Sequence, residues 1–94
     1  MKVMINNETI EAVTFEEETV DVAGEVKKLI KFDFKVKHED YHDITTLLYK
    51  NDFQVSVPDQ SINMNATIYN YSTSLTNLYK EGAIGDFHLE LIDK

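Results

Sequence analysis

The sequence predicts a mainly-β fold: a small antiparallel β-barrel-like domain with one short α-helix, at about residues 40–50, between an N-terminal hairpin and C-terminal strands. Three observations carry this reading. Apolar and polar residues alternate strictly in several short runs, the period-2 signature of half-buried strands. One stretch alone, Asp40 to Lys50, changes to helical spacing. Apolar residues make up 43% of the chain, with five Phe and five Tyr, which is enough to pack a core without any cysteine. The 94 residues suit a single domain, 1–94, able to bury about 60–65% of the surface its unfolded chain exposes.

Residues before Thr9 alternate poorly and are assigned no strand. From Thr9 to Val22 the alternation is imperfect: Val20 and Val22 share a face, and Ala12-Val13 marks a register shift or bulge. The clearest strand follows, where Ile30, Phe32, Phe34 and Val36 alternate with Lys31, Asp33, Lys35 and Lys37. The two runs read as a hairpin turning near Ala23-Gly24. Its charges are segregated. Glu8, Glu11, Glu16, Glu17, Glu18, Asp21 and Glu25 precede Lys27, Lys28, Lys31, Lys35 and Lys37, so acids should face lysines across the pair. Such pairs contribute about 0.2–1 kcal/mol each, which fits a solvated sheet face.

Asp40 is placed to cap the helix, with Asp43 three residues on and Lys50 at the far end. Tyr41, Ile44, Leu47 and Leu48 share one face, and Asn51-Asp52 supplies a left-handed stop. A helix of this length is marginal alone, so its apolar face should plug or cover a sheet. Three more strands follow: Phe53, Val55 and Val57, ended by Pro58; then Ile62, Met64, Ala66 and Ile68; and finally Phe87, Leu89 and Leu91, alternating with His88 and Glu90. Between the last two, Ser72 to Gly85 has no clean period. Leu75, Leu78 and Tyr79 fit either a short helical turn or a loop packed over the core. Short antiparallel strands with one helix at an end indicate a small barrel or a strongly bent sheet.

Composition excludes several functions. The formal net charge is −8, and all nine basic residues are lysine. Phosphate clamps and guanine contacts use the planar arginine fork, and an acidic chain is repelled by a nucleic-acid backbone, so no nucleic-acid partner is expected. No apolar run approaches the ~18–20 residues that cross a bilayer, and the N-terminal segment turns polar too early for a secretory signal. The expectation is a cytoplasmic protein without membrane contact. Thiol chemistry and cysteine-bound zinc are ruled out by composition.

His38-Glu39-Asp40-Tyr41-His42 matches the H-E-x-x-H spacing of zinc proteases, which sets two imidazoles on one helical face. The context fails, because Asp40 is the expected cap and His38 then lies outside the helix. His88 is the only other histidine. There is no G-x-S-x-G elbow, P-loop, dinucleotide fingerprint or EF-hand spacing. His42-Asp43 near serines does not define a triad, and Glu16-Glu17-Glu18 reads as a solvated charge run. No catalytic residue, cofactor or metal is expected.

The densest polar-aromatic stretch is Tyr69 to Tyr79, with three tyrosines and no charge in eleven residues. Tyrosines among small polar residues suit a contact surface; they also suit a barrel cap whose Ser, Thr and Asn satisfy turn backbone. The candidate interaction surface is Tyr69, Asn70, Tyr71, Ser72, Thr73, Ser74, Asn77 and Tyr79.

This stretch also carries a family likeness. Tyr41-His42-Asp43-Ile44, Leu47-Leu48-Tyr49, Phe53, Val55, Val57-Pro58, the run Asn70 to Tyr79, and Gly82-Ala83 together resemble the YkvR-like proteins of Bacillus and related Firmicutes. The likeness covers about residues 41–92, while the first forty residues match loosely. It implies a small, mainly-β barrel-like fold in a bacterial cytoplasm and supplies no activity, cofactor or catalytic residue to carry over. His38 lies outside it, which weakens the zinc reading further. Two functions are carried forward. The first is a non-enzymatic module that binds a protein partner or a second copy of itself, through the tyrosine-rich surface or an exposed strand edge. The second is a small-ligand or metal-dependent activity in a barrel-mouth pocket near His38 and His42.

Overall fold

A computed structural model describes residues 1–73 and 82–94. Six antiparallel strands close into a barrel: β1 (Lys2–Ile5), β2 (Glu8–Val22), β3 (Glu25–Lys37), β4 (Phe53–Val57), β5 (Ile62–Thr73) and β6 (Ile84–Asp93), in spatial order β1-β2-β3-β6-β5-β4. A 3₁₀ turn (His38–Asp40) and a single helix, α1 (Tyr41–Tyr49), join β3 to β4. The fold class, the helix position and the expected strands are all present.

The strand absent from the sequence reading is β1. It is four residues long, and only Val3 and Ile5 mark its inner face. Asn6, with φ 55°, turns the chain into β2. Beyond its pairing with β2, β1 meets β4 through Met4 opposite Ser56 and Ile5 opposite Val55, which closes the barrel. Asn6 and Gln54 reinforce that seam: the Asn6 N–H donates to the Gln54 carbonyl at 2.8 Å, and the Gln54 N–H donates to Asn6 Oδ1 at 3.0 Å.

The β2–β3 hairpin turns at Ala23 and Gly24, both with positive φ (52° and 88°), as a tight two-residue hairpin loop requires. Asp21 Oδ1 accepts the Gly24 N–H at 3.0 Å. The irregularity expected at Ala12-Val13 is a bulge: Ala12 pairs with Phe34 and Thr14 with Asp33, leaving Val13 extra and exposed. Lysines do face acids across the hairpin, but diagonally. Lys31 bridges Glu18 at 3.3 Å and Lys28 bridges Glu17 at 3.4 Å. The pair outruns β6, whose register with β3 ends at Leu29–Ile92, so the hairpin tip projects and the molecule measures 45 × 25 × 22 Å.

Asp40 occupies the N-cap position of α1 but makes no side-chain cap bond, contrary to the sequence expectation. The reason is local. The 3₁₀ turn runs directly into the helix, and the Tyr41 N–H already donates to the His38 carbonyl. At the other end Asn51 takes φ 51°, the expected left-handed stop. Leu47 and Leu48 bury fully, while Tyr41 and Ile44 pack against the core. The helix therefore covers one end of the barrel. The core is the inner face of every strand, centred on Phe32, Phe53, Phe87, Leu89 and Leu91.

A second bulge, at Tyr69 in β5, has the same effect as the first. Ile68 pairs with Leu91 and Asn70 with Glu90, so Tyr69 is pushed out of register. The expected helical turn or loop at Leu75, Leu78 and Tyr79 lies outside the described residues.

Candidate functional site

The two bulges flank the same stretch of sheet. Between them, on the outer face, the register aligns Thr14 of β2, Asp33 of β3, His88 of β6 and Ser72 of β5 in one row. The next row holds Lys31, Glu90 and Asn70, and the row on the other side pairs Lys35 with Asp86. Each of these residues points outward because its strand neighbours, Phe32, Phe34, Phe87 and Leu89, point into the core.

A chain of hydrogen bonds runs across the strands. The Thr14 hydroxyl donates to Asp33 Oδ2 at 2.6 Å. His88 Nδ1 lies 2.6 Å from Asp33 Oδ1, and His88 Nε2 lies 2.8 Å from Glu90 Oε2. Asn70 Nδ2 donates to the same Glu90 oxygen at 3.4 Å. Lys35 and Asp86 form a direct ion pair alongside. Among the described residues no buried side-chain polar atom lacks a partner.

Both nitrogens of His88 face carboxylates. A neutral imidazole has one N–H and could satisfy only one of them; the imidazolium satisfies both. The hydrogen bonds to Glu90 and then Asp33 accordingly raise the His88 pKa above its ordinary value, against partial burial. Asp33 is held below the usual carboxylate range by the Thr14 hydroxyl and then by His88. Glu90 is held low chiefly by His88.

This row forms one side of an open trough of about 420 Å³, bounded by Thr14, Asp33, Lys35, Ser72, Asp86 and His88; the exposed Val13 adds an apolar side chain, and Phe34 and Phe87 border it with their own side chains buried in the core. The sequence-derived surface meets it at one end. Ser72 and Thr73 line the trough. Tyr69, at its bulge, is 54% exposed. Tyr71 has inner-face register and packs edge-on against Phe87, with ring centroids 5.9 Å apart, so burial raises its phenol pKa. Asn70 Oδ1 accepts the Tyr71 N–H at 2.9 Å. Ser74, Asn77 and Tyr79 lie outside the described residues.

The other expected site is split. His38 belongs to the 3₁₀ turn, where its backbone N–H donates to the Ala83 carbonyl at 3.0 Å, whereas His42 is exposed on α1. His42 lines a groove of about 320 Å³ with Glu8, Asp43 and Lys50. A larger cavity of about 430 Å³, between α1 and the β2–β3 pair, takes in Glu8, Glu11, Asp40 and Asp43 but neither histidine among its described lining. Among the described residues no group of three His, Asp or Glu is placed to hold a metal ion.

Sequence reasoning missed the Thr14–Asp33–His88–Glu90 chain. Its only traces were Asp33 as the lone acid among the lysines of residues 26–37 and the i, i+2 spacing of His88 and Glu90. Which strands stand side by side is not written in either.

The fold and this surface define a small, six-stranded, helix-capped β-barrel with a polar trough on its outer wall. Residues 2–94 match the family described as "Protein of unknown function (DUF3219)", and the chain belongs to that family. It is 44% identical over 92 residues to the "Uncharacterized protein YkvR" of Bacillus subtilis (strain 168), an alignment covering 96% of this chain and 91% of the relative. The likeness thus extends through the N-terminal forty residues, further than the motifs from Tyr41 onward suggested. No helix is long and apolar enough to cross a membrane among the described residues.

Proposed function

We propose that the protein is a non-enzymatic binding module of the bacterial cytoplasm that meets a protein partner through Tyr69, Asn70, Tyr71, Ser72 and Thr73 and the trough beside them. The observation that carries this reading is the β5 bulge. It leaves Tyr69 54% exposed on the strand whose Ser72 and Thr73 line the open trough, within a stretch that carries no charge from Tyr69 to Thr73. The chemistry of His88 supports a binding role over a catalytic one. In its protonated form both nitrogens donate to carboxylates, so that form carries no lone pair to take a proton from the adjacent Ser72. Beyond Ala12, β2 pairs only with β3 among the described residues, and that edge favours the tyrosine surface indirectly. Its bulge at Val13 and its Glu16–Glu18 run are devices that discourage strand addition.

A photo-crosslinking residue at position 69, introduced in cells of the native host, should trap one predominant protein or a second copy of the chain. The same residue at Val26, which is 74% exposed on the projecting hairpin, is the control. With the partner in hand, Tyr69→Ala should weaken binding by about thirtyfold, the effect of losing an interface anchor worth ~2 kcal/mol. Equal trapping at both positions, or unchanged affinity in the folded variant, would reject the reading. A second reading, a small organic ligand in the trough, is favoured by its volume, within the about 300–1,000 Å³ of ligand pockets. Native mass spectrometry separates the two, because only a ligand adds a small mass to the 10.9 kDa chain.

A further inference from the structure

We propose that His88 is a proton-operated latch on the trough wall: protonated, it ties Asp33 of β3 to Glu90 of β6, and on losing its Nδ1 proton to water it keeps Glu90, releases Asp33 and opens the β2 side of the trough. The latch stands on the geometry of the Asp33–His88–Glu90 contacts. Any consequence for partner binding rests on the function proposed above.

The groups facing His88 decide which bond breaks. Among the described residues, β2 contributes Thr14 and, one row away, Glu16; β3, Lys31, Asp33 and Lys35; β6, Asp86 and Glu90; and β5, the uncharged Asn70 and Ser72. With the imidazole neutral, one ring nitrogen presents a lone pair to a carboxylate at hydrogen-bond distance, a repulsive contact. The Glu90 side chain is 12% exposed and that of Asp33 is 47% exposed. Water can rehydrate Asp33 but has little access to Glu90, so the remaining proton stays on Nε2 beneath Glu90. Asp33 then swings toward solvent, on the side where Lys35, two residues along the same face of β3, is ion-paired with Asp86. Thr14 loses its tie to the wall with it, since its hydroxyl donates to Asp33. The elevated His88 pKa places this event above the ordinary histidine range.

The test is a pH titration of the full chain by NMR, with the His88 ring assigned through bonds from its own Cβ so that no variant is needed for assignment. Both ring nitrogens should carry protons at pH 6. As pH rises, Nδ1 alone should lose its proton, with a midpoint above about 6.5. The Asp33 carboxyl carbon and the Thr14 amide should shift with that same midpoint, and the Glu90 carboxyl carbon far less. A midpoint at or below about 6.5, loss of the proton from Nε2 instead, or an Asp33 signal indifferent to the His88 titration would each overturn the latch. Asp33→Asn, a partly exposed and nearly isosteric change, should lower the His88 midpoint; an unchanged midpoint would also overturn it. These outcomes are independent of crosslinking at Tyr69, so failure of the latch and failure of the binding reading are told apart.

Discussion

Phe87 and His88 are neighbours on β6 that face opposite ways, and between them they show how one strand serves both core and surface. Among the described residues, Phe87 lies with its ring centroid 5.5 Å from Phe34, 5.9 Å from Tyr71 and 6.4 Å from Tyr41. It ties the helix cap and the end of β5 to the barrel interior. His88 ties the outer surfaces of β3 and β6 through charge, which makes its contribution depend on pH. A group whose folded pKa is raised contributes fully below its unfolded value and less as pH climbs through the folded one. Asp33 and Glu90, with lowered values, contribute fully above the ordinary carboxylate range and less as pH falls through theirs. The difference in urea midpoint between wild type and His88→Gln should therefore be widest between about pH 5 and 6.5 and shrink on both sides. A difference that is flat from pH 5 to 9 would mean that His88 acts by packing.

At the scale of elements, bulges and turns set the site, and ion pairs do little. The Lys28–Glu17 and Lys31–Glu18 bridges are partly exposed and contribute about 0–1 kcal/mol each. Asn51 matters more because it does two things. It adopts the left-handed conformation that ends α1, and its Oδ1 accepts the Ile68 N–H at 2.8 Å, next to the Tyr69 bulge. Asn51→Ala loses both and should cost about 1–3 kcal/mol. Asn51→Gly recovers the backbone conformation but not the hydrogen bond, so its denaturation midpoint should fall between wild type and Ala. If the two variants are equally destabilised, the left-handed stop is irrelevant and the bond to β5 is everything.

At the scale of the molecule, closure depends on its shortest strand. β1 meets β4 through only two residue pairs, yet Val3 and Ile5 are fully buried. Burying two such side chains contributes about 1.5–3 kcal/mol each, a large part of the roughly 5–14 kcal/mol that holds a domain of this size together. Deleting Met1–Ile5 should leave a chain without the dispersed amide NMR signals of the intact barrel. Retention of those signals would show that the remaining strands close without β1.

Much of this was legible in the sequence. The alternation of Ile30 to Val36, Phe53 to Val57 and Phe87 to Leu91 marked inner faces that the barrel buries, because a strand's side-chain period of two is local. The bulge at Ala12-Val13, the turn at Ala23-Gly24 and the stop at Asn51 were readable for the same reason, as properties of neighbouring residues. β1 was not, since two apolar positions are too few to establish a period. Asp40 as a cap was misread because cap residues look alike whether or not a 3₁₀ turn has already satisfied the helix donors. The tyrosine-rich run was legible as an uncharged stretch, but not the facing of its rings. Tyr69 is turned out to 54% exposure, while Tyr71 takes inner-face register and sets an edge on Phe87 with 40% of its surface still exposed, because a one-residue bulge exchanges faces.

The sequence by itself thus determined the element types, their order and which side of each strand is apolar. Only the tertiary structure decided that Thr14, Asp33, Glu90 and Asn70 gather around His88. That assembly is a matter of register between distant strands, with Asp33 and His88 55 residues apart, and register is settled by closing the barrel rather than by any local pattern.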